Sequence, residues 1–192
     1  MKYTVKKEDS GSSIKSVLKK RIGISSRLFT RLKKNRKITV NGQERRLHEA
    51  VVEGDEIRIR FDYEENTFDR EPFPLEILFE DDVLLIVNKD PYYVVHPTLG
   101  HPTGTLMNFA AEHLYQQEDK SKIRFVNRLD RDTSGVVIMA KNQFIHHQMS
   151  EAMKRKEVDK HYIALVEGEI QEDRQLIDAP IARESEDSIM RV

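Results

Sequence analysis

A polar cluster at residues 128–135 combines residue types that can do nucleophilic or acid–base chemistry. Asp130 is flanked by Arg128 and Arg131, and a Thr-Ser-Gly segment follows directly before an apolar run. Nearby guanidinium groups favour the ionised form of a carboxylate, so Asp130 could act as a nucleophile or a base. The same residues are also typical of a structural loop in which the aspartates pair with the arginines. Because structural ion pairs are common, residue types alone favour that second interpretation.

The other polar candidates carry weaker signals. His96 and His101 are five residues apart with no nearby acid, a spacing that favours a loop lining a cleft over a metal site. Tyr162 falls in an amphipathic run, where a core tyrosine is the usual finding. Lys89 follows a predicted strand and could contact a phosphate, although a lysine at a strand end is usually solvated.

Composition removes several kinds of chemistry. The 192 residues include no cysteine, which excludes disulfides, thiolate metal ligands and a cysteine nucleophile. The sequence has no GxGxxG segment and no other glycine-rich phosphate loop, so we expect neither a cofactor nor a metal. No apolar run reaches the roughly 18 residues of a membrane span, and the first residues lack the apolar centre of a signal peptide. We therefore expect a cytoplasmic protein that has no membrane contact.

Alternating strands and helices are predicted to position the candidate groups. Residues 62–74 contain two prolines and no regular period, which predicts a linker between a module at 1–61 and a second module at 75–192. In the second module the hydrophobic patterns predict strands at 75–79, 83–88, 136–140 and 161–166, and helices at 105–114 and 143–155.

The first module is strongly basic. Residues 1–60 hold 17 basic and 7 acidic residues, a net of +10, although the whole chain is close to neutral at -1. Helical spacing predicts one helix through Ile14, Val17, Leu18 and Ile22, and a second, capped by Ser25 or Ser26, with Leu28, Phe29 and Leu32 on its apolar face. Strands are predicted at 37–40 and 56–61, with an Asn-Gly hairpin signal at 41–42.

A basic stripe lies on the second predicted helix. Arg27, Arg31 and Lys34 fall opposite the apolar face at 100° per residue. Most charge runs are simply solvated faces. Here no acidic residue occurs between Arg21 and Gly42, so uncompensated repulsion favours contact with the phosphates of RNA or DNA.

This first module resembles the small RNA-binding domain of ribosomal small-subunit protein four. The matching segments are 25–28, 38–42 and 52–57. That family presents its basic helix to structured RNA, so the resemblance implies that Arg27, Arg31 and Lys34 bind RNA rather than DNA.

The second module resembles the RluA/RluD-type pseudouridine synthases, whose signature is Arg-Leu-Asp, two variable residues, then Thr-Ser-Gly. Residues 128–130 and 133–135 match that signature. Three further segments match in order: 86–89 with 94–97 and 104–106, then 160–168, then a stretch that starts at Asp178 and includes Arg183. The implied fold is α+β: a small basic domain of two helices and short strands, followed by part of a mixed, mainly antiparallel sheet with flanking helices.

The resemblance also implies a reaction, the isomerisation of uridine to pseudouridine in RNA, and roles for four residues. Asp130 is the catalytic carboxylate, which either attacks the anomeric carbon or removes a sugar proton. Arg128 enters the RNA near the extruded nucleotide, Tyr162 stacks on the uracil, and His96 lines the substrate cleft. Large-subunit ribosomal RNA is the expected substrate, tRNA is an alternative, and protein partners are not implied.

Three departures from the family pattern bear on these expectations. The usual Lys-Pro-Ala-Gly is replaced around residues 90–93, beside the cleft, and Asn127 stands where relatives often have histidine. The chain ends at Val192, before the rest of the family's sheet, so we expect little or no synthase activity from these residues alone. The alternative is a non-catalytic RNA-binding protein that keeps a synthase-like remnant.

Overall fold

Antiparallel sheets organise the part of the chain that the computed structural model describes, namely residues 1–61, 64–182 and 185. The chain divides into one unit at Met1–Val158 and a second at Asp159–Val192. The first unit contains a three-stranded sheet of order β1-β3-β2 and a four-stranded sheet of order β4-β5-β7-β6. Each sheet has a hydrophobic core of its own.

The three-stranded sheet packs against two short helices. Its elements are β1 (Lys2–Thr4), α1 (Ile14–Lys20), α2 (Ser26–Lys34), β2 (Ile38–Val40) and β3 (Glu56–Ile59), with a 3₁₀ turn at Lys7–Asp9. Ser25 caps α2 by accepting a hydrogen bond from the backbone N–H of Leu28 at 3.2 Å. Leu28, Phe29 and Leu32 are buried in the core, so the predicted apolar face is the packed face.

The four-stranded sheet carries the candidate site. Its strands are β4 (Glu76–Glu80), β5 (Leu84–Lys89), β6 (Arg124–Phe125) and β7 (Gly135–Ala140), and its helices are α3 (Leu106–Gln116) and α4 (Gln143–Lys154). In the antiparallel register of β5 with β7, Leu85 faces Met139 and Val87 faces Val137, and all four side chains are buried. Thr105 and Asn108 form a capping box at the start of α3.

The predicted fold class is confirmed, and the predicted helices and most of the strands lie within a few residues of their observed bounds. The strand predicted at 161–166 is wrong: residues 159–182 contain no helix or strand, and their side chains are exposed. A run with β propensity becomes a strand only when a neighbour pairs with it, and the described residues of this unit supply no strand for pairing.

Two short strands and one turn differ from expectation. β1 and β6 were not predicted, because three and two residues are too few to show a period. Asn41 and Gly42 do form a tight turn with φ of 51° and 80°, but it closes only the bridge from Val40 to Gln43. The strand partner of β2 is β3. The linker at 62–74 stays a prediction, and its first two residues, like Arg183, lie outside the described residues.

No helix in the described ranges is both long and apolar enough to cross a membrane.

Candidate active site

Residues 127–134, within the loop between β6 and β7, present Asp130 at the surface. Asp130 and Arg128 are both exposed, and the backbone turns because the N–H of Thr133 donates to the carbonyl of Asp130 at 3.2 Å. The loop ends at Gly135, whose φ of +126° is rarely adopted by residues with a Cβ. We call residues 127–134 the Asp130 loop.

Asn127 fixes the start of the Asp130 loop. Its Nδ2 donates to the carbonyl of Val136 at 2.9 Å, and its Oδ1 accepts from the N–H of Ile138 at 2.8 Å. The side-chain amide thereby takes the place that a peptide group of β6 would occupy beside β7. The backbone can leave the sheet at this point while the hydrogen bonds of β7 remain satisfied.

The side chain of Lys89 fixes the middle of the Asp130 loop. Its side chain is almost fully buried at 1% exposure, and its Nζ donates to the carbonyls of Asp90 at 2.8 Å and Arg131 at 2.9 Å. Burial lowers the pKa of Lys89, while the negative charges of Asp132, Asp90 and Asp130 oppose that shift. The ammonium group therefore links the end of β5 to the Asp130 loop, and its positive charge interacts with the negative charge of Asp130.

The sequence interpretation of Lys89 as solvated or phosphate-bound is wrong. The signal that could have corrected it is the period of two along β5, where Leu85, Val87 and Lys89 share the buried face. A lysine on a buried face must find acceptors, since a buried charge without partners is very costly.

Leu129 supplies an apolar anchor for the same loop. Its half-buried side chain packs against the core of the four-stranded sheet, between two exposed charged neighbours. The Asp130 loop is therefore held by one apolar contact and by three hydrogen bonds of Lys89 and Asn127, although its backbone is irregular.

His96 lies near Arg128. Its half-buried ring packs edge-to-face on Phe125, with ring centroids 4.7 Å apart and an interplanar angle of 76°. Burial lowers the pKa of His96, and the charge of Arg128 lowers it further. A neutral imidazole at neutral pH can both donate and accept a hydrogen bond.

The expected pairing of Asp130 with two guanidinium groups is not what the structure shows. Arg131 Nε binds Oδ1 of Asp132 at 3.0 Å. Within the described residues, the Asp130 carboxylate has no hydrogen bond or ion pair, and its charge acts on Lys89 instead. The charge of Asp130 therefore acts on Lys89 and that of Arg128 acts on His96, while the Asp130 carboxylate has no partner among the described residues.

Tyr162 belongs to the second unit. Its side chain is 67% exposed and lies in a segment without regular structure. The role that the family resemblance gives to Tyr162 stays a prediction.

The basic stripe on α2 is only partly exposed and unpaired. Arg27 and Lys34 are exposed, whereas Arg31 is half-buried and its Nη1 contacts Glu64 at 2.5 Å. Glu64 also pairs with Arg124. Burial raises the pKa of Glu64, but the hydrogen bond from Arg31 and the charges of both arginines lower it more, so the net shift is downward.

The argument from uncompensated repulsion is therefore wrong in part. Besides Arg31, Arg21 pairs with Asp9 at 2.5 Å and Arg36 lies 3.8 Å from Glu44. These acids lie outside the run from 21 to 42, and folding brings them to the arginines. Arg27 and Lys34 remain as exposed cations on α2.

Contacts also join the basic module to α4. The rings of Phe61 and Phe144 stack with centroids 5.5 Å apart. Gln148 Nε2 donates to the carbonyls of Ile22 at 3.1 Å and Gly23 at 3.0 Å. With the Glu64 pairs, these contacts fix α2 relative to the four-stranded sheet.

No cluster of three or more metal-ligating side chains occurs in the portion of the chain that is described.

Comparison with known proteins gives the family. Residues 83–191 match the RNA pseudouridylate synthase family, and residues 1–57 match the N-terminal domain of the RluD ribosomal pseudouridine synthases. Because the first match covers more than half of the sequence, this chain belongs to the RNA pseudouridylate synthase family. The resemblance found in the sequence is confirmed.

Individual relatives agree with this assignment. An uncharacterized RNA pseudouridine synthase of Bacillus subtilis is 36% identical over 173 residues, which cover 88% of this chain and 61% of the relative. The ribosomal large subunit pseudouridine synthase D of Nitrosomonas europaea is 37% identical over 70% of this chain and 40% of its own length. The Escherichia coli K12 protein of that name is 32% identical over 70% and 41%. The chain thus spans 40–61% of the length of these relatives.

Proposed function

We propose that the complete gene product containing this chain isomerises uridine to pseudouridine in RNA, with Asp130 as the reacting carboxylate. The observation that carries the proposal is the state of the Asp130 loop. Lys89, Asn127 and Leu129 hold its backbone, yet the Asp130 carboxylate is exposed and engages no partner within the described residues. A structural aspartate would be committed to an ion pair, as Asp132 is to Arg131.

The chemistry asks little of the protein besides this carboxylate. The target base must first leave its stack, at a cost of a few kcal/mol. The bond from N1 of uracil to the sugar then breaks, the base turns, and a bond forms from C5 to the same carbon. N1 gains a proton and C5 loses one, so the reaction is balanced without an oxidant or reductant. Asp130 either attacks the anomeric carbon or removes a sugar proton to start the cleavage.

Neighbouring residues have positioning roles in this proposal. Arg128 fills the space left by the extruded nucleotide, and neutral His96 offers hydrogen bonds beside it. Tyr162 stacks on the detached uracil and keeps it from diffusing away.

The basic module supplies RNA affinity. Arg27 and Lys34 contact phosphates directly, a contribution that weakens as salt rises. Arg31 acts mainly through Glu64, because that ion pair holds α2 in place.

We further propose large-subunit ribosomal RNA as the substrate and the cytosol as the place of action. The match of residues 1–57 and the names of two relatives support the ribosomal substrate. Partners other than RNA are not part of the proposal.

The test is turnover by the complete gene product on unmodified transcripts of large-subunit ribosomal RNA and of tRNA, with pseudouridine mapped at single-nucleotide level. We expect conversion at discrete uridines of the ribosomal transcript alone. Conversion in tRNA would overturn the substrate assignment, and salt-sensitive binding without conversion in either RNA would favour the non-catalytic alternative.

A further inference from the structure

Tyr92 occupies a conformation that tyrosine disfavours. It follows Pro91 in a turn with φ of +74°, the left-handed region in which glycine or asparagine is usual. Its side chain is 75% exposed, so packing among the described residues does not compensate for the backbone strain. Backbone strain of this kind clusters at active sites and ligand-binding sites.

The neighbouring tyrosine shows the contrast. Tyr93 packs edge-to-face on Phe73 at 4.8 Å and on Phe109 at 5.3 Å between ring centroids. Tyr93 therefore anchors the loop, and the strained Tyr92 is the residue that the anchored loop presents to solvent.

Tyr92 also lies close to the Asp130 loop. Lys89 Nζ bridges the carbonyls of Asp90 and Arg131 at 2.8 and 2.9 Å, so the two loops are in contact through one ammonium group. Tyr92 is two residues beyond Asp90, and two residues extend the chain by about 7 Å at most. The strained, exposed Tyr92 therefore belongs to a loop that contacts the Asp130 loop through Lys89.

We propose that Tyr92 binds RNA by stacking its ring on an unpaired nucleobase next to the uridine that reacts at Asp130. Aromatic side chains are the usual platforms for unpaired bases, and stacking tolerates any base because each has a π face. A rigid, exposed ring beside the reaction site would hold the strand while the uridine turns out. This role rests on the proposed function, since Asp130 defines which nucleotide is the target.

The experiment measures binding separately from turnover. The probe is an RNA hairpin with an unpaired uridine in its loop and 2-aminopurine as the adjacent base, and the protein is the complete gene product. Variants are Tyr92→Phe, Tyr92→Ala and Tyr92→Gly. Tyr115→Ala is the control for loss of an exposed tyrosine. Tyr115 lies about 13 Å along α3 from Leu106, whose N–H binds the β5–α3 loop at Val94, and Arg70 covers one face of its ring at 3.5 Å from the centroid.

We expect Tyr92→Ala and Tyr92→Gly to weaken binding by about 5- to 150-fold and to abolish the quenching of 2-aminopurine. Tyr92→Phe and Tyr115→Ala should keep both. Because glycine relieves the backbone strain, Tyr92→Gly should melt about 2–4 °C above Tyr92→Ala. Both variants lack the ring, so the more stable one should bind RNA no better than the other.

The proposal is overturned if Tyr92→Ala and Tyr92→Gly bind the hairpin like the wild type, or if 2-aminopurine remains quenched in them. Failure of the proposed function is a separate result, because a protein that forms no pseudouridine can still lose affinity and quenching on substitution of Tyr92.

Discussion

Helix α2 and the Asp130 loop both present charged groups at the surface, but different forces hold them. Helix α2 rests on buried apolar side chains, and a serine caps its start. The Asp130 loop has irregular backbone and depends on hydrogen bonds from Lys89 and Asn127, with Leu129 as its one apolar contact in the described core. Buried apolar side chains thus position the helix face, whereas a few side-chain hydrogen bonds position the loop.

The comparison suggests different sensitivities in the two regions. Loss of an apolar contact in α2 should lower the stability of the whole module, and function should be lost only as the module unfolds. Loss of a polar contact at the loop should cost less stability and more activity, because the loop can move without the sheet unfolding.

The largest stability effect is expected from Leu28→Ala in α2. Leu28 is fully buried, so the cavity should lower the free energy of unfolding by about 2–5 kcal/mol. Urea denaturation measures it, with the exposed Val52→Ala as control. A loss below that of a loop substitution would contradict the comparison.

Lys89→Met should cause an intermediate loss of stability and a severe loss of activity. It removes the only donor recorded, among the described residues, for the carbonyl of Arg131, and we expect a loss of about 1–3 kcal/mol. Pseudouridine formation should fall far more than RNA affinity, because the Asp130 loop loses the hydrogen bond that holds its middle. Equal losses of turnover and affinity would show that Lys89 has no specific effect on the loop.

Asn127→Asp tests the comparison by replacing the side-chain NH2 group with an oxygen. The carboxylate can still accept from Ile138 but repels the carbonyl of Val136, at a cost of about 1 kcal/mol. Turnover should drop while RNA affinity stays. Asn142→Asp is the matched control, because aspartate caps α4 as well as asparagine does. If the control loses as much turnover, the amide of Asn127 has no special role.

The smallest expected effect is a pH dependence from His96. Burial keeps its pKa in the folded protein below that of the unfolded chain, so the unfolded chain takes up the proton first as pH falls. Stability should therefore fall as pH drops below about 6.5. In His96→Phe, which keeps a ring against Phe125, the melting temperature should change less between pH 7 and 5. An unchanged slope would argue against a buried, neutral imidazole.

Sequence patterns predicted the regular elements well, because periods of two and 3.6 residues record which face is buried. These periods predict the apolar face of α2 and the strands β5 and β7, which pair with each other. The same period could have placed Lys89 on the buried face of β5, where our interpretation of it as solvated or phosphate-bound is wrong. It could not have given the acceptor on Arg131, which lies 42 residues away.

The polar contacts of the site could not be predicted in this way. The hydrogen bonds of Asn127 require the pairing of β6 with β7, and the ion pair of Arg31 requires a glutamate 33 residues later in the sequence. Such contacts depend on tertiary structure, which a local period does not encode. The catalytic role of Asp130 was predicted only from the family resemblance, since residue types alone favoured a structural loop.

The central claim is that Asp130 is the reacting carboxylate, and the neighbouring Asp132 offers a control of the same type on the same loop. The measurement is pseudouridine formation and RNA affinity for Asp130→Asn and Asp132→Asn in the complete gene product. We predict that Asp130→Asn abolishes the product and keeps RNA affinity, while Asp132→Asn retains turnover. Normal product formation by Asp130→Asn would contradict the account.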